Sequence, residues 1–217
     1  MARILITSGP TRQYIDPVRY LSNASSGKMG RCLAEAALEM GHQVVIVSGP
    51  VQIVYPAACD VISVVSTEDM LIACRDIFDT CDGLIGAAAP CDYRPVEVAD
   101  HKIRKTGESL DIKWVETGDV VASLGSQKKP TQWTVGFALE TDDARFRALT
   151  KLEKKSCDLV VLNSVTAIES TENSVEIIAP SGDVLQSSAG SKQVVARAIM
   201  QLIQQRLIDR VGYDEPI

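Results

Sequence analysis

Two arginines, an asparagine and a lysine crowd one stretch of the chain, G-P-T-R-Q-Y-I-D-P-V-R-Y-L-S-N-A-S-S-G-K-M-G, residues 9–30. Arg12 and Arg19 flank the turn signal Asp16-Pro17, Asn23 follows, and Ser25-Ser26-Gly27-Lys28 closes the stretch where a helix begins. A set of this kind suits the binding of phosphate or another oxyanion. Serine caps a helix N-terminus, and glycine lets the backbone approach a ligand. The free amides there carry partial positive charge, to which Lys28 adds a full one. The string is not a P-loop. That pattern places Gly six residues before its Lys and Ser or Thr after it, whereas Ser22 and Met29 stand there. No G-x-G-x-x-G follows the first apolar run either. A plainer reading keeps Ser-Ser-Gly as cap and turn and leaves the arginines in solvent. The concentration of charge and amide in one loop weighs against it.

A second polar stretch, P-C-D-Y-R-P-V-E-V-A-D-H-K-I-R-K-T-G-E-S at residues 90–109, has the length and composition of a lid. It follows Ala87-Ala88-Ala89, small residues that leave room beside a strand end. Asp92 is either a solvated turn residue or a ligand for a sugar hydroxyl or base amine. Lys102 is either a mobile surface lysine or a lid lysine that closes on phosphate. Phe137 reads first as core, with a stacking platform for a base as the alternative. Lys151 and Lys155 are four apart on an expected helix, where like charges repel unless an anion bridges them.

Bulk properties narrow the field. The 217 residues suffice for one domain, expected over 1–217, with 46% apolar and 23% charged residues. A net charge of −6 argues against a nucleic-acid surface, so the local basic clusters point to a small anionic ligand. No apolar run is long enough for a membrane span, and the N-terminal apolar run is too short for a signal peptide. Six cysteines without C-x-x-C or metal spacing read as reduced core thiols, which implies a cytoplasmic protein. With two histidines, no His-based metal site is expected.

The elements that must position these groups alternate. Apolar runs at 4–6, 44–47, 61–65, 84–89, 133–139 and 159–162 read as strands, as does the alternating stretch 110–115. A first helix would bury Met29, Cys32, Leu33, Ala36, Ala37 and Met40; a second opens at Ser66. Thr117-Gly118-Asp119 opens a short helix over 119–124, and 142–155 forms another with Phe146, Leu149 and Leu152 inward. A hairpin turns at Ser181-Gly182-Asp183, and Ser191 caps a last helix with Val194, Val195, Ala198, Ile199, Leu202 and Ile203 inward. Past about residue 208 the tail reads as frayed. The expected fold is α/β: a doubly wound, Rossmann-like, mostly parallel sheet with a C-terminal β-hairpin and terminal helix. If the strands before the two polar stretches are neighbours, both stretches meet in one crevice.

Together, T-S-G-P-T-R, I-D-P-V-R-Y-L-S-N-A-S-S-G-K-M-G, A-A-A-P-C-D-Y-R-P, K-I-R-K, V-G-F-A-L-E-T and K-L-E-K-K-S-C-D-L-V-V-L-N resemble the phosphopantothenate–cysteine ligase family, in order and over nearly the whole chain. The resemblance implies a coenzyme A biosynthesis enzyme that joins 4′-phosphopantothenate and cysteine. CTP (ATP in eukaryotic relatives) would form an acyl-cytidylate with Mg²⁺ present, releasing pyrophosphate and then CMP. Asn23 matches the asparagine that hydrogen-bonds the acyl-nucleotide, Arg19 lies one helical turn before it, and Lys102 matches the lid lysine. Ser25, Ser26, Gly27, Lys28, Ala88 and Ala89 match nucleotide-binding positions. Asp92, Phe137, Lys151 and Lys155 do too, as does the Gly118-Asp119-Val120-Val121 string. Pro90-Cys91 and Thr117-Gly118 depart from the family's Val-Ala and Asn-Pro, beside the expected base site. The resemblance further implies a homodimer, and a flavin-dependent decarboxylase as partner, which in many bacteria is fused ahead of the ligase and is not in this sequence. The other readings are a nucleotide-binding oxidoreductase and a non-catalytic relative.

Overall fold

The computed structural model describes residues 1–139, 142–163 and 172–209; the expected frayed tail lies almost wholly outside them. The first apolar run becomes β1 (Arg3–Ser8), buried from Ile4 onward because it lies in mid-sheet. The chain continues through β2 (Arg12–Asp16), β3 (Arg19–Ser22), α1 (Lys28–Glu39), β4 (Gln43–Ser48), β5 (Asp60–Ser63), α2 (Thr67–Phe78) and β6 (Gly83–Gly86). Next come β7 (Tyr93–Pro95), β8 (Trp114–Glu116), α3 (Val120–Gly125), β9 (Trp133–Leu139), α4 (Ala144–Lys154) and β10 (Leu159–Asn163). The antiparallel β11 (Glu172–Ile178) and β12 (Val184–Ser191) precede α5 (Lys192–Ile203).

The main sheet has eight strands in the order β12-β11-β10-β9-β6-β1-β4-β5. Its six parallel strands, counted in chain order, run 3-2-1-4-5-6, the doubly wound arrangement. The order reverses between β1 and β6, which pair directly, Ile4 with Gly83 through Thr7 with Gly86. The neighbouring-strand expectation therefore holds, as does the terminal hairpin.

Alternation along the strands sorts the core. Ile4, Ile6, Val44 and Ile46 pack with α1 and α5 on one face. Leu5, Val45 and Val47 pack with α2 and α3 on the other, where Val160 and Leu162 meet α4. Each fully buried Leu or Ile contributes roughly 1.5–3 kcal/mol by leaving water, which explains why both faces of the central strands are apolar. Ser66 caps α2 through a reciprocal capping box with Asp69. Ser191 caps α5.

Five expectations are corrected. Phe146 is 73% exposed and Val194 51%, because α4 and α5 turn those positions away from the sheet. Met40 closes α1 on the surface. The stretch 110–115 yields only the short exposed β8, paired with β7 rather than with the main sheet. The run 84–89 leaves strand geometry after Gly86, where the main sheet ends.

All six cysteines are free, and five are buried. Burial pushes the Cys74 thiol up to about 12, and those of Cys59 and Cys157 to about 11, so these three stay protonated near neutrality. Among the described residues no helix is long and apolar enough to cross a membrane.

Candidate functional site at the switch point

Between β1 and α1 the chain does not run as a loop. It folds into the hairpin β2–β3 about the Asp16-Pro17-Val18 turn. Arg19 and Asn23 are thus related by extended strand rather than by a helical turn. Asp16 is the anchor: its fully buried carboxylate accepts the amides of Val18 and Arg19, both at 2.9 Å, and of Ile103 at 3.1 Å. Arg19 completes the arrangement, pairing with Asp16 and donating to the Ile103 carbonyl at 3.2 Å. The amide of Ala99 donates to Ile15 at 3.0 Å. The middle of the 90–109 stretch is therefore fastened along the hairpin. Arg19 is occupied in fastening it, and Arg12 lies over the Tyr20 ring at 4.5 Å.

Burial pushes the Asp16 carboxyl up, but the three amides and the Arg19 guanidinium outweigh it, and it sits below its ordinary 3.8. The fold favours the charged form, so Asp16 contributes stability above pH 3.8 that is lost as pH falls through the lowered value. Asp16→Asn is expected to be less stable than wild type at neutral pH, with the gap narrowing below about pH 4. Urea midpoints measured across that range check this; a constant gap would contradict it.

Asn23 is exposed, and its Nδ2 donates to the Pro90 carbonyl at 2.8 Å. The next residue, Cys91, is held tightly. Its amide donates to Thr11 Oγ1 at 2.8 Å, and its carbonyl accepts from Thr67 at 3.1 Å and Thr117 at 2.6 Å. The Thr117 amide donates to the Asp92 carbonyl at 2.9 Å. Pro90-Cys91 and Thr117-Gly118 are thus bonded to one another.

Three cavities surround this junction, each of ligand-binding size. The first, about 510 Å³, lies against α1 and α5 and is lined by Ser25, Ser26, Gly27, Lys28, Ala88, Ala89 and Phe137, with Asn163, Asn173 and Lys192. The second, about 470 Å³, is walled by α3 on the other face. Ala88, Asp92, Gly118, Asp119, Val120, Val121, Phe137 and Lys155 line it, with Thr7, Thr67, Pro90 and Thr117. The third, about 540 Å³, extends it through Asp92, Asp119 and Lys155 to Arg147, Lys151 and Lys154 on α4. Ala88 and Phe137 belong to both of the first two, so these meet across the carboxyl edge of the sheet. Asn23 lines none of the three itself but stands at the seam: its neighbour Ala24 lines one cavity and its partner Pro90 the other.

The residues expected to bind one nucleotide are therefore divided between two faces. Lys102 is exposed and lines none of the three, although its neighbour Ile103 is anchored. Neither Ser25 nor Ser26 caps α1. Gly27 does so with a left-handed backbone (φ 73°) and no side-chain cap, leaving the first-turn amides facing the cavity. Lys155 does not await an anion, since it pairs with Asp119 at 3.0 Å; Asp119 also caps α3, as its position implied. Phe137 is partly buried and serves core and cavity alike. Asn163, Asn173, Lys192 and Arg147 were missed. Asn163 ends a parallel strand, which alone could have flagged it.

A 3-2-1-4-5-6 parallel core with adjoining, polar-lined cavities at its switch point defines a Rossmann-like α/β protein whose ligands would lie across the β1–β6 edge. Residues 1–207 match the DFP family, the DNA/pantothenate metabolism flavoprotein C-terminal domain, and the chain belongs to that family. It is 41% identical over 207 residues to the Coenzyme A biosynthesis bifunctional protein CoaBC of Vibrio vulnificus (strain YJ016), covering 93% of this chain and 51% of that one. The chain thus spans about half the length of that relative. The crystal structure of the C-terminal domain of CoaBC superposes with a TM-score of 0.82 at 38% identity, covering 95% of this chain and 96% of that one. A Cab2 mutant in complex with phosphopantothenate-cysteine shares the fold, with a TM-score of 0.79 at 15% identity over 97% of this chain and 87% of that one.

Proposed function

We propose that the chain is a phosphopantothenate–cysteine ligase, joining 4′-phosphopantothenate to the amine of L-cysteine through an acyl-cytidylate made from CTP. Kinship with coenzyme A biosynthesis proteins supports the reading. The observation that carries it is the seam at Asn23. An acyl-nucleotide has charged or polar ends and its reactive bond in the middle. Two cavities on opposite faces, meeting at small residues beside an exposed amide donor, suit that shape.

The chemistry balances in two steps. A carboxylate oxygen of the acid attacks the α-phosphorus of CTP, and the bond to pyrophosphate breaks. The cysteine amine then attacks the acyl carbon, the bond to CMP breaks, and the amine proton passes to water. Asn23 Nδ2 would exchange the Pro90 carbonyl for an oxygen of the mixed anhydride. The Phe137 ring offers a face for the base. Arg147, Lys151 and Lys154 attract the polyanion to a chain of net charge −6. Lys102, beside the anchored Ile103, would turn its side chain toward the phosphates.

Mg²⁺ neutralises phosphate charge when bound. No cluster of three or more His, Cys, Asp or Glu suited to a metal occurs among the described residues, so it would enter with the triphosphate, beside Asp92 and Asp119, the two carboxylates common to the second and third cavities. Exposed Tyr20, Leu21, Val96, Val98 and Trp114 favour a homodimer, which sedimentation would measure. Decarboxylation of the product would be the work of a decarboxylase, in keeping with the bifunctional relatives.

The expected result is pyrophosphate release that needs CTP, phosphopantothenate and Mg²⁺ together with folded protein, and CMP release that needs cysteine as well. No release would end the reading. Tight NADH binding would favour the oxidoreductase, against which the missing G-x-G-x-x-G argues. A thermal-shift panel of CTP, ATP, GTP and UTP reads the base preference set beside Cys91 and Thr117.

A further inference from the structure

The first cavity holds more positive charge than a nucleoside or a thiol requires. Lys28 and Lys192 both line it and lie close enough for each to feel the other's charge. Among the described residues neither forms an ion pair with a carboxylate. Lys192 is partly buried at the start of α5, and its Nζ donates to Asn173 Oδ1 at 3.0 Å. Asn173 is only 6% exposed, so that acceptor is fixed by packing. Burial and, with it, the charge of Lys28 hold the Lys192 amine below its ordinary value, although the Cys32 thiol acts in the opposite sense. Two like charges kept together without a counter-charge cost stability unless a ligand supplies one.

Two further observations point the same way. The twelve-residue α1 begins in this cavity with no side chain on its first amides. Asn163, on the same wall, has a buried Oδ1 with no partner among the described residues. The amide of that side chain adds a hydrogen-bond donor, Nδ2, to a residue of the cavity wall.

We infer that Lys192, steadied by Asn173 and facing Lys28 over the first turn of α1, is a phosphate-binding residue of the first cavity. The choice of ligand rests on the ligase reading, under which the phosphate belongs either to the nucleotide or to the phosphorylated acid. The site itself does not rest on it. Asn173 is the positioning residue.

Calorimetric titration of the full chain and its Lys192→Ala and Lys192→Met variants tests this, with pyrophosphate, CTP against cytidine, and phosphopantothenate against pantothenate as probes. Loss of a charge-assisted hydrogen bond weakens binding about tenfold to a hundredfold. That loss is expected for CTP or for phosphopantothenate but not for its unphosphorylated partner, and the affected member names the source. Lys192→Arg should retain most of the affinity. The melting temperature without ligand should stay level or rise in Lys192→Met, because a repulsion is removed; a purely structural lysine would lower it. If pyrophosphate binds through Lys192 while CTP and phosphopantothenate do not bind at all, the subsite stands and the ligase reading falls. Unchanged affinity for every phosphorylated probe in the folded variants overturns the inference.

Discussion

Asn23→Ala is expected to lower kcat for ligation by about 10²–10³-fold, the usual cost of losing one donor aimed at charge that develops during the reaction. The melting temperature should hardly move. Asn23 is exposed, its amide serves a single acceptor, and surface substitutions of this kind change stability by about 0.5 kcal/mol or less. Asn23→Asp should be no better, since a carboxylate would face the Pro90 carbonyl and repel a phosphorylated substrate. Steady-state kinetics beside a melting curve checks both. Full activity in either variant would remove Asn23 from the mechanism and with it the significance of the seam.

Gly49→Ala carries the largest expected effect on stability. Gly49 follows β4 where the chain passes beneath the start of the β1–β2 connection. A Cβ there would stand 1.6 Å from the Pro10 carbonyl oxygen and 2.8 Å from its carbon. Backbone cannot yield as a side chain end can. Pro10 is also bridged to Ala89, so the strain would reach the edge on which both cavities sit. A cost of about 3 kcal/mol is expected for such overpacking, which corresponds to a fall in melting temperature of roughly 6–12 °C for a chain of this size. Calorimetry measures it. A melting temperature within a degree of wild type would show that the close approach of Gly49 and Pro10 is not part of the fold.

The parallel core was legible because buried strands on both faces leave unbroken apolar runs such as residues 44–47 and 159–162. Helix starts were legible where a side chain makes them, at Ser66, Asp119 and Ser191. The start of α1 was misread because Gly27 makes it with backbone conformation alone. The β2–β3 hairpin was hidden because its turn, Asp16-Pro17-Val18, lacks the Asn-Gly signal, and Asp16 works through amides that come partly from residue 103. Periodicity places Phe146 on a helix, but only packing decides that α4 turns it outward. The division of the binding residues between two cavities follows from which face each strand end feeds, and that depends on the strand order.

The central claim is that the carboxylate of the acid becomes bonded to the nucleotide's α-phosphorus before cysteine arrives. Phosphopantothenate carrying ¹⁸O in its carboxylate tests this directly, with mass spectrometry of the CMP released in a single turnover. One ¹⁸O per CMP is the result predicted. Product formation with unlabelled CMP would contradict it.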